Sequence, residues 1–210
     1  MIFMNEEIVN TFSLVDECVF KNLTHNPPTA TAEYHCKKEP KIDEFFHLDY
    51  ADYEKQLLGK TYGYYLNGDQ SQLVSAFTIA NSALVLDFLQ SSKKNTINKA
   101  IPRAKQRRQY PALLICQLAV FDSFSHLHIG DQVMNQIKHL ALLLNESTSF
   151  RFLIVEAVNK KKVLQYYTDN GFEFLYSTEE IEREKTHRPV DEETGKLATR
   201  LMKFDMMLAI

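Results

Sequence analysis

The chain has 210 residues, long enough to bury a sizeable core, and its 45% hydrophobic and 24% charged residues are the balance of an ordinary globular protein. That composition excludes a disordered chain, a collagen-like rod and a membrane-spanning bundle. The formal net charge of -3 supplies no global attraction to nucleic acid or anionic lipid. Three widely spaced cysteines, Cys18, Cys36 and Cys116, make neither a disulfide framework nor a CxxC metal motif, and reduced thiols in the cytoplasm are the simplest expectation.

The opening MIFMNEEIVNTF carries early acids and no long apolar run, so it reads as neither a secretory signal nor a membrane helix. Residues 12–23 read as a first strand. Residues 42–58 read as an amphipathic helix, with Ile42, Phe45, Phe46, Tyr50, Tyr53 and Leu57 near helical spacing and Gly59 as its terminator. Residues 61–66 and 73–80 are β-prone and flank Asn67-Gly68-Asp69-Gln70, a hairpin signal. Residues 84–89 read as a short strand or a bent loop, and residues 91–108 are polar and basic.

Residues 112–120, ALLICQLAV, are almost continuously apolar, as in a strand covered on both faces. From Asp131 the period becomes helical, with Val133, Ile137, Leu140, Ala141 and Leu144 on one face. Residues 152–158, FLIVEAV, form a second buried strand, and residues 160–170 a helix that Gly171 ends. Residues 172–176 return to extended structure. Residues 179–198 read as a charged linker to a closing strand, 199–208, with Met202, Phe204, Met206 and Leu208 on one face. The expected architecture is one domain over 1–210: a mixed α/β fold with a mostly antiparallel sheet flanked by helices.

The chemistry concentrates in LAVFDSFSHLHIGDQVM, residues 118–134. A buried strand runs through a short loop into a helix. Helix starts carry unpaired N–H groups and partial positive charge, which suits phosphate. Close approach of backbone to a pyrophosphate needs glycine, and Gly130 stands there.

These residues resemble the GNAT acetyltransferases, where a strand ending Leu-Ala-Val enters a Q/R-x-x-G-x-G/A loop and then a helix. The resemblance places Leu118, Ala119 and Val120 beside the pantetheine arm and oxyanion. It sets Ser125, His126, Leu127, His128, Ile129, Gly130 and Asp131 around the pyrophosphate of acetyl-CoA. Ser125 stands where Gln or Arg is usual, and His128 where the first motif glycine is usual. Tyr166-Tyr167-Thr168-Asp169-Asn170-Gly171-Phe172 is similar to the Tyr-x-x-x-Gly-Phe signature and makes Tyr167 the residue aimed at the thioester sulfur. Asn159 is one position off the spacing of the family's cofactor-binding Asn. The segment AIPRAKQRRQYP before the central strand resembles GNAT toxins that acetylate aminoacyl-tRNA.

The helix between residues 112–120 and 152–158 makes those strands parallel; the resemblance implies that they splay, in an acetyl-CoA-dependent N-acetyltransferase acting on a primary amine, and the residues suggest no metal and no membrane. A toxin acting on aminoacyl-tRNA, and a silent domain that binds coenzyme A or a protein partner, remain alternatives. A homodimer through the closing strand is an open expectation, and nucleic acid is not favoured given the acidic balance. Tyr167 suits a general acid, since a phenol near pKa ~10 lies close to an alkyl thiol; packing on an amphipathic helix explains it equally. Glu156, inside FLIVEAV, is a candidate base if buried with a raised pKa; an exposed strand-end Glu is the plainer reading. Cys116 reads as a core residue rather than a nucleophile. His126 and His128 lack a third ligand for a metal. The cations Lys93, Lys94, Lys99, Arg103, Lys105, Arg107 and Arg108 read as a solvated loop, against a role toward coenzyme or RNA phosphates. Tyr62, Tyr64 and Tyr65 read as sheet packing rather than an acceptor pocket.

Overall fold

The computed structural model describes residues 12–29, 32–99, 101–104 and 107–209. The opening residues 1–11, and Lys105 of the basic run, lie outside them. Seven strands form one sheet: β1 (Cys18–Asn22), β2 (Lys60–Leu66), β3 (Asp69–Val85), β4 (Gln109–Val120), β5 (Phe152–Val158), β6 (Glu173–Phe174) and β7 (Thr199–Asp205). Their spatial order is β1-β2-β3-β4-β5-β7-β6. Among the described residues only β4 and β5 pair in parallel; the other neighbours are antiparallel. This is the mixed α/β architecture expected from the sequence.

The hairpin of β2 and β3 turns on Asn67-Gly68, and Gly68 takes a φ of +78°, the conformation that a two-residue hairpin turn demands. The parallel pair needs a crossover, which α5 (Gly130–Asn145) provides. Its Val133, Met134, Ile137 and Ala141 are buried against Ile115, Leu153 and Val155 of the sheet. Burial of such side chains contributes about 1.5–3 kcal/mol each. Next to α5 lies α6 (Lys161–Asp169), closed by Gly171 at a φ of +79°. A Cβ at Gly171 would stand 3.2 Å from the Phe204 ring, so both conformation and space exclude a side chain.

Several boundaries differ from the expectation. Residues 12–23 hold a short helix α1 (Leu14–Glu17) before β1, because Ser13 caps it and accepts from Asp16 N. The helix expected over 42–58 is α2 (Pro40–Glu44), a π turn (Phe45–Asp49) and α3 (Tyr50–Lys55). Leu57, at a φ of +59°, takes the left-handed position assigned to Gly59. Gly59 serves close approach instead: a Cβ there would meet Ile79 O and Thr78 Cγ2, each at 3.0 Å. The stretch 84–89 is not a separate strand, since β3 runs to Val85. The start of the basic stretch folds as α4 (Ser91–Asn98).

The largest correction concerns residues 179–198. They begin with α7 (Glu179–Thr186), capped by Thr178, whose side chain accepts from Ile181 N. Glu182 is fully buried and binds Arg200 Nε at 2.7 Å and Leu201 N at 2.7 Å. The stretch is anchored structure rather than a linker. Its strand β7 lies between β5 and β6, and Leu208 is exposed in a 3-10 turn beyond it. Tyr64 and Tyr65 are buried, and Tyr62 stacks on Phe20 at 5.3 Å, so these rings pack the sheet. Among the described residues no helix is long and apolar enough to cross a membrane.

Candidate active site

The site begins where the parallel ladder stops. Residues Ala112 to Ile115 of β4 pair with Phe152 to Val155 of β5. Beyond them β4 stays on β3 as far as Val120, while β5 stays on β7 as far as Val158. The two strands part and leave a slot. Cys116 marks the point of parting. Ile79 of β3 faces Ile115 and Thr78 faces Gln117, so Cys116 is the extra residue of a β-bulge.

Phe121 donates its N–H to Val74 O at 3.1 Å. Backbone groups alternate along an antiparallel strand, so the N–H groups of Leu118 and Val120 point away from β3, into the slot. A cleft of about 360 Å³ fills it, lined by Leu118, Val120, Gly130, Glu156, Tyr166 and Tyr167, among others. Ala119 faces the opposite side and packs with Ala76 and Phe121; only its backbone is near the slot.

The residues between strand and helix form a 3-10 turn, Asp122–Leu127, followed by His128 in the left-handed conformation (φ 52°, ψ 35°). That conformation explains why a glycine is usual at this position; histidine is among the residues that enter it at modest cost. Ser125 Oγ donates to Asp122 O at 3.0 Å and is exposed, as is His126. Leu127 packs against the main core, and Ile129 is fully buried beneath the turn. The first bond of the α5 ladder runs from Val133 N to Ile129 O at 3.0 Å. The N–H groups of Gly130, Asp131 and Gln132 precede that ladder and form the electropositive head of the helix. The Asp131 carboxylate is turned aside and accepts from Asn170 Nδ2 at 2.8 Å.

Two adjacent tyrosines of α6 wall the cleft and do different things. Tyr166 donates to Gly130 O at 2.8 Å, and a Cβ at Gly130 would stand 3.2 Å from its ring. It is the floor under the helix head. Tyr167 packs edge-on against Phe172 at 5.4 Å, and its hydroxyl bonds to no described residue. Burial pushes both phenol pKa values well above the ordinary value, so both stay protonated through the neutral range.

Glu156 lines the cleft, but its side chain is 52% exposed and paired with Arg188 Nη2. The buried carboxyl expected as one alternative is not what the structure has. Arg188 comes from the segment read as a linker and also donates to Thr199 Oγ1 at 2.9 Å. Asn159 does not line the cleft. Its side chain donates to Leu197 O at 2.8 Å and its N–H to Ala198 O at 3.0 Å, fastening the same segment. Cys116 is half-buried, and burial followed by the nearby Glu156 charge pushes its thiol up to about 11, so it is neutral and no nucleophile.

The motif reading missed Glu39, which caps α2, Ile42 of α2, and Lys162 and Val163 of α6. Lys160 Nζ meets Glu39 Oε1 at 2.5 Å across the mouth. The only sequence signal was the apolar Ile42 on its helical face; Glu39 carried none. A separate trio, His35, Asp43 and His47, brings three ligand atoms within 4.8 Å of one another. Its imidazoles stack at 5.1 Å and 10°, and His47 Nδ1 lies 2.8 Å from Asp43 O.

No family model and no curated protein sequence matches the chain. Solved structures do match. A tyrosine-to-phenylalanine mutant of KacT aligns with a TM-score of 0.68 at 16% identity, over 91% of this chain and 96% of that one. AtaT complexed with acetyl-methionyl-tRNAfMet gives 0.66 at 16% identity, over 92% and 97%. AtaTR bound with AcCoA gives 0.63 at 16% identity, over 92% and 96%. With the splayed parallel pair, the bulge and the helix head in hand, this likeness shows that the chain has the GNAT fold.

Proposed function

We propose that the protein is an acetyltransferase that moves an acetyl group from acetyl-CoA to a primary amine. The observation that carries this is the parting of β4 and β5 after Ile115 and Val155, with two backbone donors, a helix head and the Tyr167 hydroxyl around one cleft. When bound, the coenzyme supplies a reactive acetyl thioester. The residues present fit it. The N–H groups of Gly130, Asp131 and Gln132 suit a pyrophosphate, and the apolar walls of Val155, Val158 and Val163 suit its extended arm.

The N–H groups of Leu118 and Val120 are aimed where negative charge on the acetyl oxygen would develop, and such preorganised donors stabilise it. Tyr167, held neutral by burial, donates a proton to the departing sulfur. Glu156 stands at the cleft as an ionic partner of Arg188 and is the candidate to accept a proton from the incoming amine. Acetyl-CoA cleavage with a panel of primary amines tests the reading. Tyr167→Phe should lower kcat about 10²–10⁴-fold with little change in coenzyme affinity. Unchanged kcat would remove Tyr167 from the chemistry.

One observation favours a second reading, acetylation of aminoacyl-tRNA. Arg103, Arg107 and Arg108 lie exposed before β4, and a structure of the same fold holds acetyl-methionyl-tRNA. Arrest of bacterial growth on expression supports it, and harmless expression at high level speaks against it. Tight acetyl-CoA binding with no turnover of any acceptor would indicate a silent binding domain.

A further inference from the structure

A second concavity touches the cleft from the side of α3. Its volume is about 430 Å³, and it is lined by Phe45, Asp49, Asp52, Tyr53, Cys116 and Gln117, with Gln56 and Leu58 at its end. Cys116 and Gln117 line both spaces. The hollow therefore borders the bulge where β4 and β5 part, and its other lining residues, from Phe45 to Leu58, do not line the cleft.

The lining follows from the local fold. Phe45, Asp49, Tyr53 and Gln56 stand at successive steps of three or four residues and share one face, which Asp52, next to Tyr53, widens. The π turn, in which Tyr50 N bonds Phe45 O, joins the two parts of that face. Short π segments are frequent at functional sites. The rings of Phe45 and Tyr53 meet edge to face at 5.7 Å. Asp52 is paired with Lys55 at 2.8 Å, whereas Asp49 has no ion pair with any described residue. None of the lining residues is basic.

We infer that this hollow holds the acceptor, and that the acceptor is a small aliphatic diamine or polyamine. The inference rests on the acetyltransferase reading and adds the substrate class. Carboxylates beside aromatic faces suit an ammonium group, and Phe45 and Leu58 suit the methylenes between two amines. A diamine resolves a conflict that a monoamine faces. The reacting nitrogen must be neutral, yet a cation is what Asp49 and Asp52 attract. With two amines, one stays charged at Asp49 while the other reaches Cys116 and Gln117 uncharged. Nucleic acid phosphates would instead be repelled by both carboxylates. The amine nitrogen bonds to the acetyl carbon and the carbon–sulfur bond breaks. The amine gives one proton to Glu156, which passes it to water, and the sulfur takes one from Tyr167, which regains it from water.

The test compares 1,4-diaminobutane with n-butylamine as acceptors, with acetyl-CoA binding measured by calorimetry on the same sample. We expect kcat/KM for the diamine to exceed that for butylamine by about tenfold, the size of a charge-assisted contact. Asp49→Asn should bring the ratio close to one through KM. Spermidine titrated into protein loaded with coenzyme A should release heat that Asp49→Asn removes. Equal use of both amines, or an Asp49→Asn ratio like wild type, overturns the inference while leaving the acetyltransferase reading intact. Absence of acetyl-CoA binding overturns both.

Discussion

The cleft wall made by α5 and α6 and the charged segment behind it, residues 179–198, are held by opposite means. The wall is apolar: Val133, Ile137 and Ala141 lie on the sheet, and Tyr167 lies on Phe172. The segment behind it is held by polar groups. Glu182 lies fully buried between Arg200 and the Leu201 amide, Glu179 accepts from Leu197 N at 2.7 Å, and Asn159 holds Leu197 O. Apolar packing tolerates loss of one group by partial collapse. A buried ion does not, because its partner is left charged and without solvent.

That contrast predicts where the protein breaks. Glu182→Ala strands Arg200, which is 8% exposed, and should cost about 3–5 kcal/mol in urea denaturation. A loss below about 1 kcal/mol would mean that Arg200 finds water and that the segment is loosely held. Gly171→Ala forces a left-handed alanine against Phe204 and should cost about 1–2 kcal/mol or more.

Glu54 sharpens the comparison with pH. Burial alone would raise its carboxyl pKa, but Lys60, Thr24, Asn22 and the Thr61 amide together hold it below the ordinary value. A carboxyl whose folded pKa lies below its unfolded value stabilises the fold above the unfolded value. That contribution is lost as pH falls through the folded one. Thermal stability should therefore drop on acidification below the ordinary carboxylate range, and Glu54→Gln should flatten that drop. The smallest effect is Tyr166→Phe, which deletes the bond to Gly130 O and should cost about 0.5–1.5 kcal/mol.

The legible parts of the sequence were those with a period or a break in one. ALLICQLAV, the helix after Gly130 and the Gly171 terminator each announce themselves, and each is where it was expected. The parallel pairing followed from the helix between two apolar strands. Charged stretches were not legible, because composition does not distinguish a solvated glutamate from Glu182. The π turn was hidden as well, since its one-residue shift looks like ordinary helical spacing from Ile42 to Leu57. Asn159 and Glu39 acquire their places only through partners distant in sequence. Cys116 acquired its meaning from the register of β3 against β4, which no local pattern reports.

The central claim is that the head of α5, floored by Tyr166, is a coenzyme site. Calorimetry of acetyl-CoA binding to wild type and to Gly130→Trp tests it most directly, with circular dichroism to confirm that both are folded. The account predicts micromolar binding by wild type, about 8 kcal/mol of binding free energy, and none by the variant, whose Cβ would stand 3.2 Å from the Tyr166 ring and whose indole would push that ring from under the helix head. A folded wild type that binds no acetyl-CoA at millimolar concentration, or a Gly130→Trp protein that binds as well as wild type, would contradict it.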